Sequence, residues 1–256
     1  MAPQRYFIKL AYNGRSYHGW QRQDNATTVQ QVLEEAMSTL FGNNIQLTGA
    51  GRTDTGVHAR EFYAHFDVAG TKDNSYLDDI VYKLNSFLPR DILIFDIFPV
   101  ESASHARFDA LSRTYEYIIT TRKDPFLQEF SWHVYGELDL ELMNKGAEIL
   151  KEYKDFTSFS KLHTQVMTND CNIMQADWEQ NDHLIIFTIK ADRFLRNMVR
   201  AIVGTLVDLG KAKITLEDIR IIIEARNRSE AGLSVPAQGL YLTHVDYPEG
   251  ILSRRI

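Results

Sequence analysis

Arg5-Tyr6-Phe7-Ile8-Lys9-Leu10-Ala11-Tyr12 is the stretch from which the fold can be read. One face of it is apolar or aromatic at every second residue, which is the period of a β-strand with one buried face. Outward from this strand, residues 28–41 repeat apolar side chains at helical spacing, and residues 62–68 alternate again. A short strand at 45–48, a helix at 77–88 and an apolar strand at 92–100 complete the order β-α-β-β-α-β.

The rest of the chain repeats a similar order of elements. Its patterns predict a strand, a helix, a hairpin across Asn181-Asp182, two helices and a strand, at 115–119, 138–153, 173–191, 194–209, 216–225 and 240–246. This is the order of split βαβ units. We therefore predict an α+β fold of two ferredoxin-like halves, 1–104 and 105–256, with a central mixed or antiparallel sheet and an active-site cleft between them.

Composition places the chain among ordinary globular proteins. Of its 256 residues, 44% are hydrophobic and 24% are charged. The sequence contains no run of eighteen apolar residues, so it predicts no membrane-spanning helix. The N-terminus lacks the apolar region of a signal peptide, and we therefore expect a cytoplasmic protein. Cys171 is the only cysteine, which excludes an intramolecular disulfide and a cysteine-based metal cluster.

The net charge is −6, which by itself argues mildly against a nucleic-acid partner. Recognition depends on where charges lie, however. Arg193, Arg196 and Arg200 recur at spacings of three and four, so on the predicted helix they would share one face. The charge balance therefore neither favours nor excludes an RNA partner.

The most unusual segment is 49–59, which holds three glycines, an arginine, an aspartate and a histidine after a short strand. In an extended segment Arg52 and Asp54 project to the same side, where the guanidinium could pair with the carboxylate or bind a phosphate. An ionised carboxylate could serve as nucleophile or base. From composition alone, the segment could equally be a surface turn in which Asp54 caps backbone N–H groups.

The segment resembles the G-R-T-D-x-G-V-H motif of the TruA family of tRNA pseudouridine synthases, with Thr55 where many members carry alanine. Other blocks resemble the family in the same order along the chain, at 13–23, 84–89, 105–108, 113–117, 155–159, 194–204 and 239–248. Residues 163–172 match the better-known bacterial members poorly. The resemblance covers nearly the whole chain.

The resemblance implies roles for individual residues. Asp54 would be the catalytic nucleophile, with Tyr115 and Arg200 as the other catalytic residues. We expect Arg200 to pair with Asp54 across the cleft, because apolar neighbours surround this arginine in the sequence and a buried arginine needs a carboxylate. RNA-binding roles are expected for Arg52, His105, Arg107 and Phe108. From pattern alone, Tyr115 could be a core aromatic of its strand and Arg200 a solvated helix residue.

The resemblance also implies a reaction. The substrate would be uridine at positions 38 to 40 of the tRNA anticodon stem-loop, which is isomerised to pseudouridine by a homodimer. The isomerisation exchanges no electrons and no groups with a second substrate, so no cofactor and no metal are expected.

Three alternatives stay open. The chain could be a noncatalytic RNA-binding protein on the same fold, or a pseudouridine synthase acting on another RNA. It could also be a metal-dependent phosphohydrolase that uses Asp54, His58 and more distant histidines such as His65. The sequence assigns His58 and His105 no catalytic role, and Trp20 is expected in the core.

Overall fold

The structure is a computed structural model that describes residues 3–161 and 168–252. The chain forms two compact units: unit 1 runs up to Leu111 and resumes at Leu242, whereas unit 2 runs from Ser112 to Tyr241. The functional division into 1–104 and 105–256 stays a prediction; residues 105–111 and 242–252 fold with unit 1. The predictions made on residues 1–2 and 163–167 lie outside the described residues.

Unit 1 has the predicted order of elements. They are β1 (Pro3–Tyr12), α1 (Val29–Phe41), β2 (Thr48–Gly49), β3 (His58–Ala69), α2 (Asn74–Phe87) and β4 (Ile92–Pro99). The strands pair in the order β4-β1-β3-β2, each pair antiparallel. This places β1 between β3 and β4 rather than beside β2, as expected for a split βαβ unit.

Local chemistry sets the ends of the two helices of unit 1. The Thr28 side chain accepts a hydrogen bond from Gln31 N at the start of α1, and Asp73 does the same from Tyr76 N at the start of α2. Helix α1 ends at Gly42, which has φ 67°. Helix α2 ends before Pro89, which cannot continue a helix.

Strand β2 is shorter than the sequence predicts. Residues 45–47 are not a strand, because side chains of α1 take up their backbone groups instead. Ser38 Oγ accepts from Ile45 N, Glu34 Oε1 accepts from Leu47 N, and the Gln30 amide donates to Leu47 O, each at 2.9 Å. Backbone groups satisfied in this way do not need a neighbouring strand.

Residues 112–246 contain the remaining elements. They are β5 (Ser112–Thr120), β6 (Trp132–His133), α3 (Leu140–Leu150), β7 (Ile173–Asn181), β8 (Leu184–Ala191), α4 (Met198–Gly210), α5 (Leu216–Glu224) and β9 (Leu240–Asp246). Within unit 2 the order β5-β8-β7 is antiparallel, while the short β6 runs parallel to β5. Helix α3 packs on β7, α4 and α5. The predicted α+β class with a mixed sheet is confirmed.

Helix α4 begins four residues later than predicted. The prediction that one helix face carries Arg193, Arg196 and Arg200 is therefore wrong. Asn197 adopts a left-handed conformation with φ 66° and precedes the helix. The Arg193 N–H is bound by the Asp192 carboxylate, and Arg196 O accepts from Lys161 N. These contacts hold 193–197 in a non-helical course, and of the three arginines only Arg200 lies in α4.

The hairpin between β7 and β8 also turns one residue later than predicted. Strand β7 continues through Asn181, and the turn is Asp182-His183, with Asp182 at φ 53°. Aspartate tolerates this left-handed conformation better than most residues. Across residues 3–161 and 168–252, no helix is both long enough and apolar enough to cross a membrane.

Candidate active site

The loop between β2 and β3, residues 50–57, carries the residues that the sequence singled out. Arg52 is exposed, Thr53 is 8% exposed and Asp54 is half-buried. The Val57 N–H donates to Asp54 O at 3.1 Å, which closes a tight turn directly after the aspartate. An exposed Arg52 and a half-buried Asp54 therefore flank a buried threonine.

A second segment, Gly14 to Trp20, lies directly against this loop and is called here the floor segment. Its Trp20 N–H donates to Thr53 O at 3.3 Å, and its Tyr17 O accepts from Gly56 N at 3.3 Å. Its Gly14 N–H donates to His58 Nδ1 at 3.2 Å. The backbone is therefore tied down on both sides of Asp54.

Two glycines allow the floor segment to approach the loop so closely. A Cβ at Gly14 would lie 1.9 Å from Val57 O, and one at Gly19 would lie 2.3 Å from Thr53 O. Gly19 also has φ 84°, a conformation that other residues adopt only with strain. No larger residue fits at either position without moving the loop that bears Asp54.

Thr53 is held by its side chain as well as by its carbonyl. Its hydroxyl and the hydroxyl of Tyr12 share a hydrogen bond of 2.9 Å, and both side chains are buried. The Tyr12 ring packs against Trp20 and Phe62, with ring centroids 6.2 and 5.7 Å away. Trp20 is 2% exposed, which confirms its predicted place in the core.

His58 and His65 use their Nδ1 atoms structurally. Both side chains are buried; His58 Nδ1 accepts from Gly14 N, and His65 Nδ1 accepts from Ala106 N at 3.1 Å. An Nδ1 that accepts a backbone N–H is not available to bind a metal ion. In the part of the chain that the structure describes, no three His, Cys, Asp or Glu side chains are grouped to hold a metal.

His105, Arg107 and Phe108, predicted to contact RNA, form one rigid turn in unit 1. His105 Nδ1 accepts from the N–H groups of Arg107 and Phe108, and His105 N donates to Asp109 Oδ2 at 2.7 Å. The Phe108 ring lies over the His105 ring with centroids 4.2 Å apart, and is 74% exposed. The Arg107 guanidinium lies 5.6 Å from the centroid of the same ring. The turn presents a fixed aromatic face to solvent with a cation beside it.

The two imidazoles of this region are held in the neutral form. Burial, together with the positive charge of Arg5, lowers the pKa of His65 to about 4. Burial and the charge of Arg5 also lower the pKa of His105. Both rings therefore act near neutral pH as uncharged aromatic and hydrogen-bonding groups.

Tyr115 and Tyr117 alternate on β5 in unit 2, but their environments differ. Tyr117 is fully buried, and its hydroxyl donates to Pro236 O at 2.8 Å. Burial raises the pKa of Tyr117, and the positive charge of Arg200 partly offsets that rise. Tyr115 is half-buried and meets Phe194 edge to face, with centroids 5.1 Å apart. Of the two tyrosines, Tyr117 is the core residue and Tyr115 keeps part of its surface accessible.

Arg200 lies in α4 of unit 2, among residues that are otherwise apolar and buried, as its sequence neighbours predict. Its Nε donates to Val235 O at 2.6 Å, and its own carbonyl accepts from Val235 N. These contacts fix the base of the guanidinium within unit 2. The predicted pairing of Arg200 with Asp54 stays a prediction.

The residues that support the Asp54 loop were not predicted from the sequence. Gly14 and Gly19 lie in the matching block 13–23, and a pair of closely spaced glycines there was a usable signal of close backbone contact. The Tyr12–Thr53 hydrogen bond had no such signal, because the two residues are 41 positions apart.

Comparison with known proteins places these residues in a family. A family model described as tRNA pseudouridine synthase matches residues 9–109 and 153–248. The chain is 51% identical to tRNA pseudouridine synthase A of Parabacteroides distasonis, over 96% of this chain and 97% of the relative. It is 52% identical to the protein of that name from Bacteroides thetaiotaomicron, over 98% and 93% of the two chains. A Thermoanaerobacter protein of the same name is 39% identical over 94% and 98%. With its fold, its Asp54 loop and these matches, the chain belongs to the tRNA pseudouridine synthase family.

Proposed function

We propose that this protein isomerises uridine to pseudouridine at positions 38 to 40 of the tRNA anticodon stem-loop, with Asp54 as the nucleophile. The observation that carries the proposal is the Asp54 loop of a family member, where a half-buried carboxylate stands on a backbone fixed at both sides. A carboxylate so placed can reach a nucleotide that has left the helix stack without first reorganising the loop.

The reaction needs one carboxylate near the sugar and the base. The bond between C1′ and N1 breaks, the uracil turns, and a bond between C1′ and C5 forms. The hydrogen at C5 is lost and N1 gains one, so no electrons are exchanged. Asp54 could attack C1′, attack C6 of the ring, or act as the base in a glycal route, and each uses the ionised carboxylate.

Arg52 is proposed to hold a phosphate of the flipped nucleotide. Its side chain is exposed, and only the buried Thr53 separates it from Asp54 in the chain. Extruding a nucleotide costs a few kcal/mol, which a guanidinium–phosphate contact helps to offset.

Tyr115 is proposed to act on the extruded base. A half-buried ring braced by Phe194 offers one stacking face, and such stacking contributes about 1–3 kcal/mol per base. Its phenol could also carry the proton that leaves C5. Arg200, the third proposed catalytic residue, presents a cation whose base is anchored on Val235 O.

The turn of His105, Arg107 and Phe108 is proposed as a second RNA contact in unit 1. An exposed aromatic ring packed against a neutral imidazole suits an unpaired base, and the adjacent guanidinium suits a phosphate. This arrangement uses chemistry that RNA-binding surfaces share, and it lies outside the Asp54 loop.

We further propose that two copies act together on one tRNA, as the family resemblance implies. Sedimentation equilibrium should then give twice the 29.5 kDa mass of the chain. A monomer at working concentration would contradict this part of the proposal and leave the chemistry untouched.

The first test is pseudouridine mapping on unmodified tRNA with wild-type protein and Asp54→Ala, in the presence of a chelator. We expect wild type to convert anticodon-arm uridines and Asp54→Ala to make no product while still binding tRNA. Asp79→Ala, which removes an exposed carboxylate on α2, is the matched control and should keep full activity.

The other outcomes separate the alternatives. Binding of tRNA by wild type without any product would favour the noncatalytic protein. Pseudouridine in another RNA but not in tRNA would show that the substrate is that other RNA. Loss of activity on adding the chelator would favour a metal-dependent enzyme.

A further inference from the structure

The hydroxyl pair of Tyr12 and Thr53 includes the residue that directly precedes the proposed nucleophile in the chain. Thr53 precedes Asp54 in the chain, and its hydroxyl lies 2.9 Å from that of Tyr12 in a buried site. The Thr53 carbonyl accepts from Trp20 N in addition. One residue before Asp54, the chain is therefore anchored by both a side chain and a carbonyl.

Burying two hydroxyls costs desolvation free energy. Their hydrogen bond offsets that cost and also fixes the loop residue in place. An apolar pair of similar shape would fill the same space with no polar group to satisfy. The pair also connects the loop to β1, the strand that lies between β3 and β4 in the sheet of unit 1. A loop residue tied to a strand paired on both sides has little freedom to move.

We propose that Tyr12 and Thr53 are positioning residues: their hydrogen bond sets the orientation from which Asp54 reaches the uridine. This inference rests on the proposed role of Asp54. Neither hydroxyl needs to touch the substrate. A misplacement of about 1 Å at a reacting group can cost about 100-fold in rate, so a buried hydrogen bond one residue away can control turnover.

The test is single-turnover pseudouridine formation with enzyme in excess over tRNA, alongside the Kd for tRNA. Tyr12→Phe and Thr53→Val each remove one hydroxyl and keep the shape of the side chain. We expect each to slow the reaction about 10-fold with the Kd unchanged within about twofold. The double variant should be no slower than the slower single variant, because the same interaction is lost in all three. Thr53→Ser, which keeps the hydroxyl, should restore the rate.

Tyr6→Phe is the matched control. Tyr6 lies on the same strand, is equally buried, and its hydroxyl accepts a single backbone hydrogen bond from Lys72 N at 2.7 Å. It should lose stability as Tyr12→Phe does, yet keep the wild-type rate. The inference is overturned if Tyr12→Phe reacts at the wild-type rate, or if Tyr6→Phe slows the reaction as much as Tyr12→Phe does. It is also overturned if the rate reductions of Tyr12→Phe and Thr53→Val multiply in the double variant. Asp54→Ala in the same assay distinguishes failure of this inference from failure of the proposed function. Pseudouridine formation by that variant would contradict the proposed function itself.

Discussion

At the scale of single residues, His65 shows how the fold suppresses a charge. The imidazole is 6% exposed, and its Nδ1 is occupied by the N–H of Ala106. Burial disfavours a proton on the ring, and the positive charge of Arg5 repels it. For these reasons the pKa of His65 falls from 6.5 to about 4. The ring stays neutral where an exposed histidine would begin to titrate.

This residue should make the stability of unit 1 depend on pH. The unfolded state takes up the proton near pH 6.5, before the folded state does near 4, so acid favours unfolding. The contribution of His65 to the free energy of unfolding is complete above pH 6.5 and is lost as the pH falls toward 4. Urea denaturation between pH 7 and 4.5 should show this decline.

His65→Asn is the variant that isolates the effect. Its amide oxygen can still accept from Ala106 N, but it does not bind a proton in this range. The decline of unfolding free energy between pH 7 and 4.5 should be shallower than in wild type. Equal slopes in the two proteins would show that other groups cause the decline.

At the scale of elements, Asn85 completes an edge of the unit 1 sheet. Its side-chain amide donates to Ile94 O and accepts from Ile94 N, both at 2.8 Å. Among the described strands, β4 pairs with β1 alone, so without Asn85 these backbone groups would have no strand partner. The amide from α2 takes the place of a neighbouring strand and protects the edge from pairing with another chain.

Asn85→Leu should lower the free energy of unfolding by about 1–3 kcal/mol, because it leaves two half-buried backbone groups without a partner. Urea denaturation measures the change. Ser86→Ala, one residue along the same helix, removes only an exposed bond to Tyr82 O and should stay within about 0.5 kcal/mol of wild type. A loss for Asn85→Leu no larger than that of the control would contradict the capping role.

Elements were predictable where their own periodicity buries one face. Strand β1 and helix α1 agree with the pattern to within two residues, because alternating or helically spaced apolar residues have few other solutions. The failures lie where distant groups satisfy the backbone. Residues 45–47 are bound by side chains of α1, and 193–197 are held by Asp192 and Lys161. No local pattern reports such partners.

The candidate site divides in the same way. The Asp54 loop stands out in the sequence because glycines, an arginine and an aspartate are concentrated in it. Its support does not, since Tyr12 and Thr53 come together only through the pairing of β1 with β3. Residue type and order point to the proposed nucleophile, whereas the groups that hold its loop come together only in the tertiary fold.

At the scale of the whole molecule, the net charge of −6 has to be reconciled with a polyanionic substrate. Binding must then depend on a few well-placed cations rather than on the overall field. We expect tRNA affinity to fall steeply with salt, and Arg52→Ala and Arg107→Ala each to reduce the slope of log Kd against log salt by about 0.7 to 0.9.

Phe108→Ala should behave differently, and it serves as the comparison. Losing a stacking face should weaken tRNA binding by about 1–3 kcal/mol without changing the salt slope. Phe87→Ala, which removes an exposed ring on α2, should leave both quantities unchanged. An unchanged slope for both arginine variants would mean that neither guanidinium meets a phosphate.

The glycines of the floor segment bear on how mutational tolerance in this enzyme is interpreted. Gly14 and Gly19 have no functional group, yet an added methyl at either would strike the backbone of the Asp54 loop. In a saturation scan scored by growth, both positions should reject substitution as firmly as Asp54, the proposed nucleophile, does. Intolerance would then mark two different things along this chain: the proposed nucleophile, and a space beside its loop that must stay empty.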